Sequence, residues 1–411
     1  MQMKPILATL RKHKLTAGLL VLQVALTLAI VCNAAWLIGS RVAQMRLPSG
    51  LAESRISLIQ STSINSQDSP RARQLTDLAA LRALPGVEAA VAIGDSLPLS
   101  GSIDSFGVCP SLEEMQKAMA ARSAKGTACV EPNAYWGSPG ELGTLGLNLV
   151  AGRDFHDEEY VTEGKPPVAI ITRKLAQHLY PGKAAVGQTL YLGGNKTIRV
   201  VGVIDPLLPP YLKSNGAPQY SMLWPRWPDG DSVTFALRSA PDNRHRVLQT
   251  ARQALIKLDP TRIIDPERMQ TYSAMRDDYF RRDITMIGLL LAAALGLLFV
   301  TALGIGGLAS FWVGQRTRSI GIRRAVGATR GDILRYFQAE NGLIVGVGVL
   351  FGAVLAVALN QWLMQHYELT RLPWIYLPVG AVLLWLLGQA AILSPALRAS
   401  RVPPVVATRS G

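Results

Sequence analysis

Residues 15–38, LTAGLLVLQVALTLAIVCNAAWLI, are an apolar run without a single charge. About 24 residues at the helical rise of about 1.5 Å reach across a hydrocarbon core of about 30 Å. Lys4, Arg11, Lys12 and Lys14 lie before the run, so a cleaved signal peptide is the competing reading. The apolar part of a signal peptide spans only about 7–15 residues. Cys32 follows Val31 in place of the small residue that a lipoprotein cleavage site needs. The run is read as an uncleaved membrane helix.

Working outward, three more apolar runs occur at 284–313, 338–364 and 374–394. Trp36, Trp312, Trp362 and Trp374 fall near their ends, where amphipathic rings anchor at the interface. Glycines at 288, 296, 304, 306, 307, 342, 346, 348 and 352 permit close helix approach, with Gly304 and Gly307 at a small-residue spacing. The polar residues inside the runs, Gln23, Asn33, Asn360, Gln361 and Gln389, are neutral. An ion-coupled transporter needs an ionisable group near the midplane. No run has one at its centre, which argues against secondary transport.

The chain has 411 residues and a formal net charge of +14, a balance that invites a nucleic-acid partner. The location of the charge excludes it. Residues 39–283 hold 28 Lys/Arg against 25 Asp/Glu. Thirteen more basic residues sit in the N-tail, in 314–337 (Arg316, Arg318, Arg323, Arg324, Arg330, Arg335) and in the C-tail (Arg398, Arg401, Arg409), opposed by Asp332 alone. Positive charge flanking apolar spans marks the cytoplasmic side. Residues 1–14, the loop 314–337 and the tail 395–411 are therefore expected in the cytoplasm, and 39–283 outside it.

The large segment between the first two spans has a soluble α/β pattern. Strand-like runs occur at Val87–Ile93, Val168–Thr172, Thr197–Ile204 and Val233–Leu237, and helical patterns at Arg73–Leu84, Glu113–Arg122, Lys174–Leu179 and Asn243–Leu258. Two subdomains are expected, 46–131 with 219–270, and 132–218. Ser40–Met45 and Thr271–Asp283 read as a stalk in which Asp277 or Asp278 meets Arg41 or Arg46, or as solvated charge. Cys109 and Cys129 bracket a helical insertion, and an exposed pair in an oxidising compartment is read as a structural disulfide. The Pro/aromatic stretch Pro206–Pro228 reads as ordinary loop packing or as a partner-docking loop.

Catalytic signatures are missing from the sequence. There is no G-x-x-x-x-G-K-[ST], no G-x-S-x-G, no H-E-x-x-H and no C-x-x-C. Asp154, His156, Asp157, Glu158 and Glu159 are nearly consecutive, whereas a metal site draws ligands from several elements, so they read as a solvated turn. The chain is expected to be no enzyme and to bind no cofactor or metal.

Three stretches carry a resemblance. Residues 304–307, GIGG, lead to 315–334, QRTRSIGIRRAVGATRGDIL, and on to Glu340. Residues 145–155, LGLNLVAGRDF, are followed by VAIIT at 168–172, PGKAAVG at 181–187 and VVGVI at 200–204. Residues 394–403, SPALRASRVP, close the set. Together they resemble the MacB-type members of the FtsX-like ABC permeases, over essentially the whole chain. One departure is Ser319, where family members usually carry an acid. Many MacB proteins are fused to an N-terminal ATPase domain, and this chain starts close to its first span.

The resemblance implies four transmembrane helices with an α/β periplasmic domain inserted after the first, in a bacterial inner membrane with both termini cytoplasmic. It implies a separate cytoplasmic ABC ATPase dimer that uses ATP and Mg²⁺, and a second permease copy in a homodimer or heterodimer. A membrane-fusion adaptor and an outer-membrane duct are further implied. Motion would pass from the ATPase through the loop 314–337 and the stalk to the periplasmic domain, which expels a substrate such as a peptide or antibiotic. Lipoprotein release, control of cell-wall hydrolases and a membrane-anchored sensing module remain the rivals.

The loop itself fits a coupling role. Arg316, Arg318, Arg323 and Arg324 would present delocalised charges to an acidic groove. Ile320, Ile322 and Val326 supply an apolar edge that a merely basic loop does not need, and Gly327 permits a sharp turn.

Overall fold

The computed structural model describes residues 14–64, 69–193, 196–212, 220–367 and 370–400. In chain order, α1 (Lys14–Met45) leads to β1 (Ile56–Thr62), α2 (Pro70–Arg82), β2 (Val87–Ile93), β3 (Val108–Cys109), α3 (Leu112–Ala121), β4 (Asn133–Trp136) and α4 (Glu141–Leu145). Next come β5 (Leu149–Gly152), β6 (Val168–Thr172), α5 (Arg173–Leu179), β7 (Thr189–Leu192), β8 (Lys196–Ile204), β9 (Ser221–Trp224), β10 (Ser232–Ser239), α6 (Arg244–Leu258), β11 (Ile263–Ile264) and β12 (Gln270–Thr271). The chain continues through α7 (Tyr272–Gln315), α8 (Thr317–Ala325), α9 (Arg330–Tyr367) and α10 (Tyr376–Ser400). It divides into two compact units, Arg46–Arg282 and the segments on either side of it.

In the membrane unit, α1, α7, α9 and α10 are long and apolar enough to cross a bilayer. Water cannot drive helices together within lipid, so close packing and polar ties must do so. Gly348 and Gly352 bring α9 onto α1; a Cβ at Gly352 would lie 2.9 Å from the Ala25 carbonyl oxygen. Asn33 Nδ2 donates to the Ala356 carbonyl (3.0 Å), joining α1 to α9. Asn341 Nδ2 donates to the Gly388 carbonyl (2.9 Å), joining α9 to α10. Gln23 Nε2 donates to the Val300 carbonyl (3.2 Å), and the Thr27 and Thr301 hydroxyls meet at 2.8 Å, joining α1 to α7.

Three expectations change here. Trp312 is buried among membrane-helix side chains and does not present its ring outward as an interfacial anchor would. Gly288, Gly296, Gly307 and Gly346 face open space, so the close approaches fall elsewhere. Arg41 pairs with Asp283 (3.4 Å), while Asp278 pairs with Arg281 one helical turn away (2.7 Å).

The inserted domain has two sheets. The first runs β11–β1–β10–β2 with β12 beside β1, antiparallel throughout. Helices α2 and α6 bury Leu78, Leu81, Val247 and Leu255 in the core of this sheet. The second is mixed, β3–β7–β8–β6–β9–β4 with β5 beside β8; β6 runs parallel to β8 and β4 to β9. All five residues of β6 are buried because both faces are covered: Val168 and Ile170 enter one core, Ala169 and Ile171 the other. Helix α5 closes the second core with Leu175, Ala176 and Leu179.

The sheets do not divide at 131/132 and 218/219. Val108–Cys109 pairs with β7, and Ser221–Trp224 lies between β6 and β4, so both segments belong to the second sheet. Ladder partners distant in sequence leave no local pattern, which is why the expected boundaries miss them. Of the Pro206–Pro228 stretch, Trp224 and Trp227 are buried and Tyr211 is exposed; residues 213–219 lie outside the described residues. Cys109 and Cys129 form a disulfide with Cα atoms 4.2 Å apart, and Met115 of α3 packs on it.

Candidate coupling site at the α7–α8–α9 turn

The site is a helix-turn-helix whose local geometry follows from its residues. Helix α7 stops at Gln315 and α8 begins at Thr317, so Arg316 is a one-residue joint. The joint stays almost helical: the Arg316 N–H is shared between the Trp312 and Val313 carbonyls (both 3.2 Å), and the Ile320 N–H donates to the Arg316 carbonyl (2.9 Å). The Thr317 hydroxyl donates back to the Gly314 carbonyl (2.9 Å), an arrangement that bends helices.

Helix α8 ends in a Schellman motif. The Ala328 N–H donates to the Arg323 carbonyl (3.0 Å), and Gly327 takes φ +107°, a region that only glycine enters without strain. Two residues on, α9 is capped reciprocally. The Asp332 N–H donates to Thr329 Oγ1 (3.2 Å), and the Thr329 N–H donates to Asp332 Oδ2 (3.0 Å). Stop and start signals thus sit side by side and turn the chain within four residues, 326–329.

Each predicted residue has a distinct place. Arg316 Nη1 donates to both oxygens of Glu340 on α9 (2.8 and 3.1 Å), and the Glu340 side chain is 3% exposed. Ile320 is buried with Ile333 and Phe337 of α9 and Ile392 and Ala396 of α10. Arg323 lies over the Tyr336 ring, 4.9 Å from its centroid. Arg316, Ile320 and Arg323, at i, i+4 and i+7, therefore form one stripe directed at α9. Ile322 on α8 (50% exposed) and Val326 just past its end (84%) form a second stripe at i, i+4, uncovered among the described residues. The side chains of Arg318 and Arg324 lie outside the described residues.

This geometry divides what the sequence treats as one apolar edge and one arginine cluster. Ile320 belongs to the bundle core, while Ile322 and Val326 are presented outward. A groove of about 790 Å³ is lined by Ile320, Ile322, Arg323, Val326, Tyr336 and Phe337, with Ser319 at its wall. Glu340 was missed. Its signal is a lone carboxylate at the start of the 338–364 run, which requires a cationic partner.

The fold defines a four-helix membrane protein with a mixed-sheet domain inserted after its first helix, and the site is a two-faced helix-turn-helix beyond the second. A family model of the MacB-like periplasmic core domain matches residues 24–262, and one of the FtsX-like permease C-terminal domain matches residues 291–404. The chain belongs to this family of ABC transporter permeases. It is 24% identical to the permease YknZ of Bacillus subtilis (strain 168), an alignment covering 66% of this chain and 68% of that one. It is 30% identical to the macrolide export ATP-binding/permease protein MacB of Shewanella sp. (strain W3-18-1), over 63% of this chain and 40% of that protein. It is 25% identical to the MacB of Shewanella sp. (strain ANA-3), over 98% and 59%. The chain thus spans about half the length of the MacB relatives it matches. Among solved structures, the extracellular domain of YknZ aligns with TM-score 0.32 and 15% identity, over 51% of this chain and 99% of that one. The periplasmic region of MacB from Actinobacillus actinomycetemcomitans aligns with TM-score 0.33 and 12% identity, over 56% and 94%.

Proposed function

We propose that this permease transmits ATP-driven motion from a cytoplasmic ABC ATPase to its inserted domain, which then expels a substrate from the periplasm. The observation that carries this reading is the uncovered stripe of Ile322 and Val326 on a helix whose opposite stripe is anchored to α9. An apolar pair flanked by Arg323 suits a groove on a soluble partner, the chemistry that burial and charge complementarity reward.

Helix α7 supplies the transmission element. It is continuous from Tyr272 to Gln315. Its first residue, Tyr272, is fully buried in the inserted domain and donates its hydroxyl to the Pro98 carbonyl (2.8 Å). Its last residue adjoins the Arg316 joint. A rod gripped at both ends carries displacement without a polar path between the helices, which suits spans that lack ionisable groups at their centres. ATP and Mg²⁺ are used by the ATPase, and this chain binds no cofactor of its own. The assembly sits in a bacterial inner membrane with the chain's termini in the cytoplasm. It holds a second permease copy and delivers substrate to an adaptor and an outer-membrane duct.

The test is co-purification of the ATPase with a permease bearing Ile322→Asp and Val326→Asp, Ile320 being left intact to preserve the core. Loss of the ATPase with retained membrane insertion is the expected result. Normal recovery of the ATPase together with normal transport would remove the coupling assignment.

A further inference from the structure

We propose that Arg316 and Glu340 are positioning residues, a buried latch that makes α8 and the start of α9 move as one body during coupling. The proposal deepens the coupling reading and rests on it. Its physical basis is the placement of the pair. Arg316 is the joint residue between α7 and α8, and its guanidinium reaches across to α9. Both Glu340 oxygens accept from its guanidinium, and the carboxylate is 3% exposed.

A carboxylate so placed has no water to turn to, so withdrawing Arg316 strands a buried charge. Arg316 therefore does not leave Glu340 to meet an ATPase groove. Buried pairs also escape most of the salt screening that weakens surface pairs. Ile320 and Arg323 extend the attachment along the same stripe, through Ile333, Phe337 and Tyr336. The joint is tied to α9 by the ion pair and to α7 by its own near-helical backbone bonds. A push on Ile322 and Val326 is then delivered to α9 together with α7, and through Asn33–Ala356 and Asn341–Gly388 to α1 and α10. The α7 rod, bonded to the joint through the Trp312 and Val313 carbonyls, moves with the same body.

The experiment uses the full-length permease in lipid nanodiscs, in a Cys32→Ala background, with Ala325→Cys and Gln338→Cys carrying spin labels. Distances are read for the unaltered latch, Arg316→Glu, Glu340→Arg and the reciprocal Arg316→Glu/Glu340→Arg swap, alone and with the ATPase. One narrow distance, unchanged by nucleotide, is expected for the unaltered latch. Each single variant broadens it and lowers permease-stimulated ATP hydrolysis by about five- to tenfold, with the ATPase still bound, and the swap restores both readouts. A generic loss of folding would not be repaired by the swap. A narrow distance in Arg316→Glu overturns the latch. So does release of the ATPase by Arg316→Glu with retention by Glu340→Arg, which makes Arg316 a direct docking residue. If the Ile322→Asp/Val326→Asp permease keeps its ATPase, the coupling reading fails separately, and the distances measured without the ATPase still decide the latch.

Discussion

Asn33 donates its side-chain amide to the Ala356 carbonyl at 3.0 Å, one helical turn from Gly352, which rests against Ala25 and Leu28. The polar tie and the close approach hold the same pair of helices, α1 and α9. They predict unequal losses. Asn33→Leu removes one interhelical bond and is expected to cost about 0.6 kcal/mol, at most about 1.7. Gly352→Val places carbon against backbone and is expected to cost more, about 1–3 kcal/mol. Thermal unfolding in detergent compares the two; a larger loss from Asn33→Leu would mean that the amide dominates the contact.

Glu141 predicts a pH dependence. It is 2% exposed at the start of α4, and its Oε2 finds no hydrogen-bond partner among the described residues. Burial, with a smaller push from Asp154, raises its carboxyl to about 8. A raised folded value means that the folded state holds its proton where the unfolded chain, near about 4.3, has lost it. The stabilisation is full below the unfolded value, declines by at most about 1.4 kcal/mol per pH unit, and is gone once pH passes through the folded value. Glu141→Gln should flatten the melting-temperature profile between about pH 5 and 9 and raise it at the alkaline end. Parallel profiles for the two proteins would show that Glu141 does not titrate in this window.

The Cys109–Cys129 bond closes a loop with a sequence separation of 20, inside which the α3 carboxylate of Glu114 accepts from the Ala128 N–H (2.7 Å). Replacing both cysteines with serine is expected to cost about 2–4 kcal/mol. Because Met115 is the one buried side chain of α3 and packs with the two cysteines, the damage should stay local. Limited proteolysis should cut between Ser111 and Ala128 and spare the two sheets. Cuts spread through the domain would show that the insertion supports the whole fold.

Thr329 and Asp332 predict a graded effect on the turn. Thr329→Ala should cost about 0.5–2 kcal/mol and speed hydrogen exchange at the first amides of α9. Gly327→Ala should do so at the end of α8, since φ +107° strains any side chain. Unchanged exchange in both variants would mean that the turn is held from outside by the bundle, through Ile320.

Much of this architecture was legible in the sequence. Val87–Ile93 and Val168–Thr172 coincide with β2 and β6, and the helical patterns near residues 73, 113, 174 and 243 fall on α2, α3, α5 and α6. Each is marked by periodicity or by an unbroken apolar run, signals that a few neighbouring residues carry. Strands β3 and β9 escaped correct placement because two or four residues have no period of their own, and their partners lie far along the chain. At the site, Gly327 and the apolar edge of Ile320, Ile322 and Val326 were readable. The opposed directions of Ile320 and Ile322 were not, since a nine-residue helix takes its inward face from the helices it meets.

The sequence by itself determined that four apolar spans enclose one α/β domain, because length, hydropathy and the placement of basic charge act locally and survive without a partner. Only the tertiary structure decided which arginine is held and which apolar residues are offered. Arg316 is committed to Glu340 across 24 positions of sequence, and Ile320 to a core shared with α10. Such choices depend on desolvation, and desolvation exists only once the helices have met.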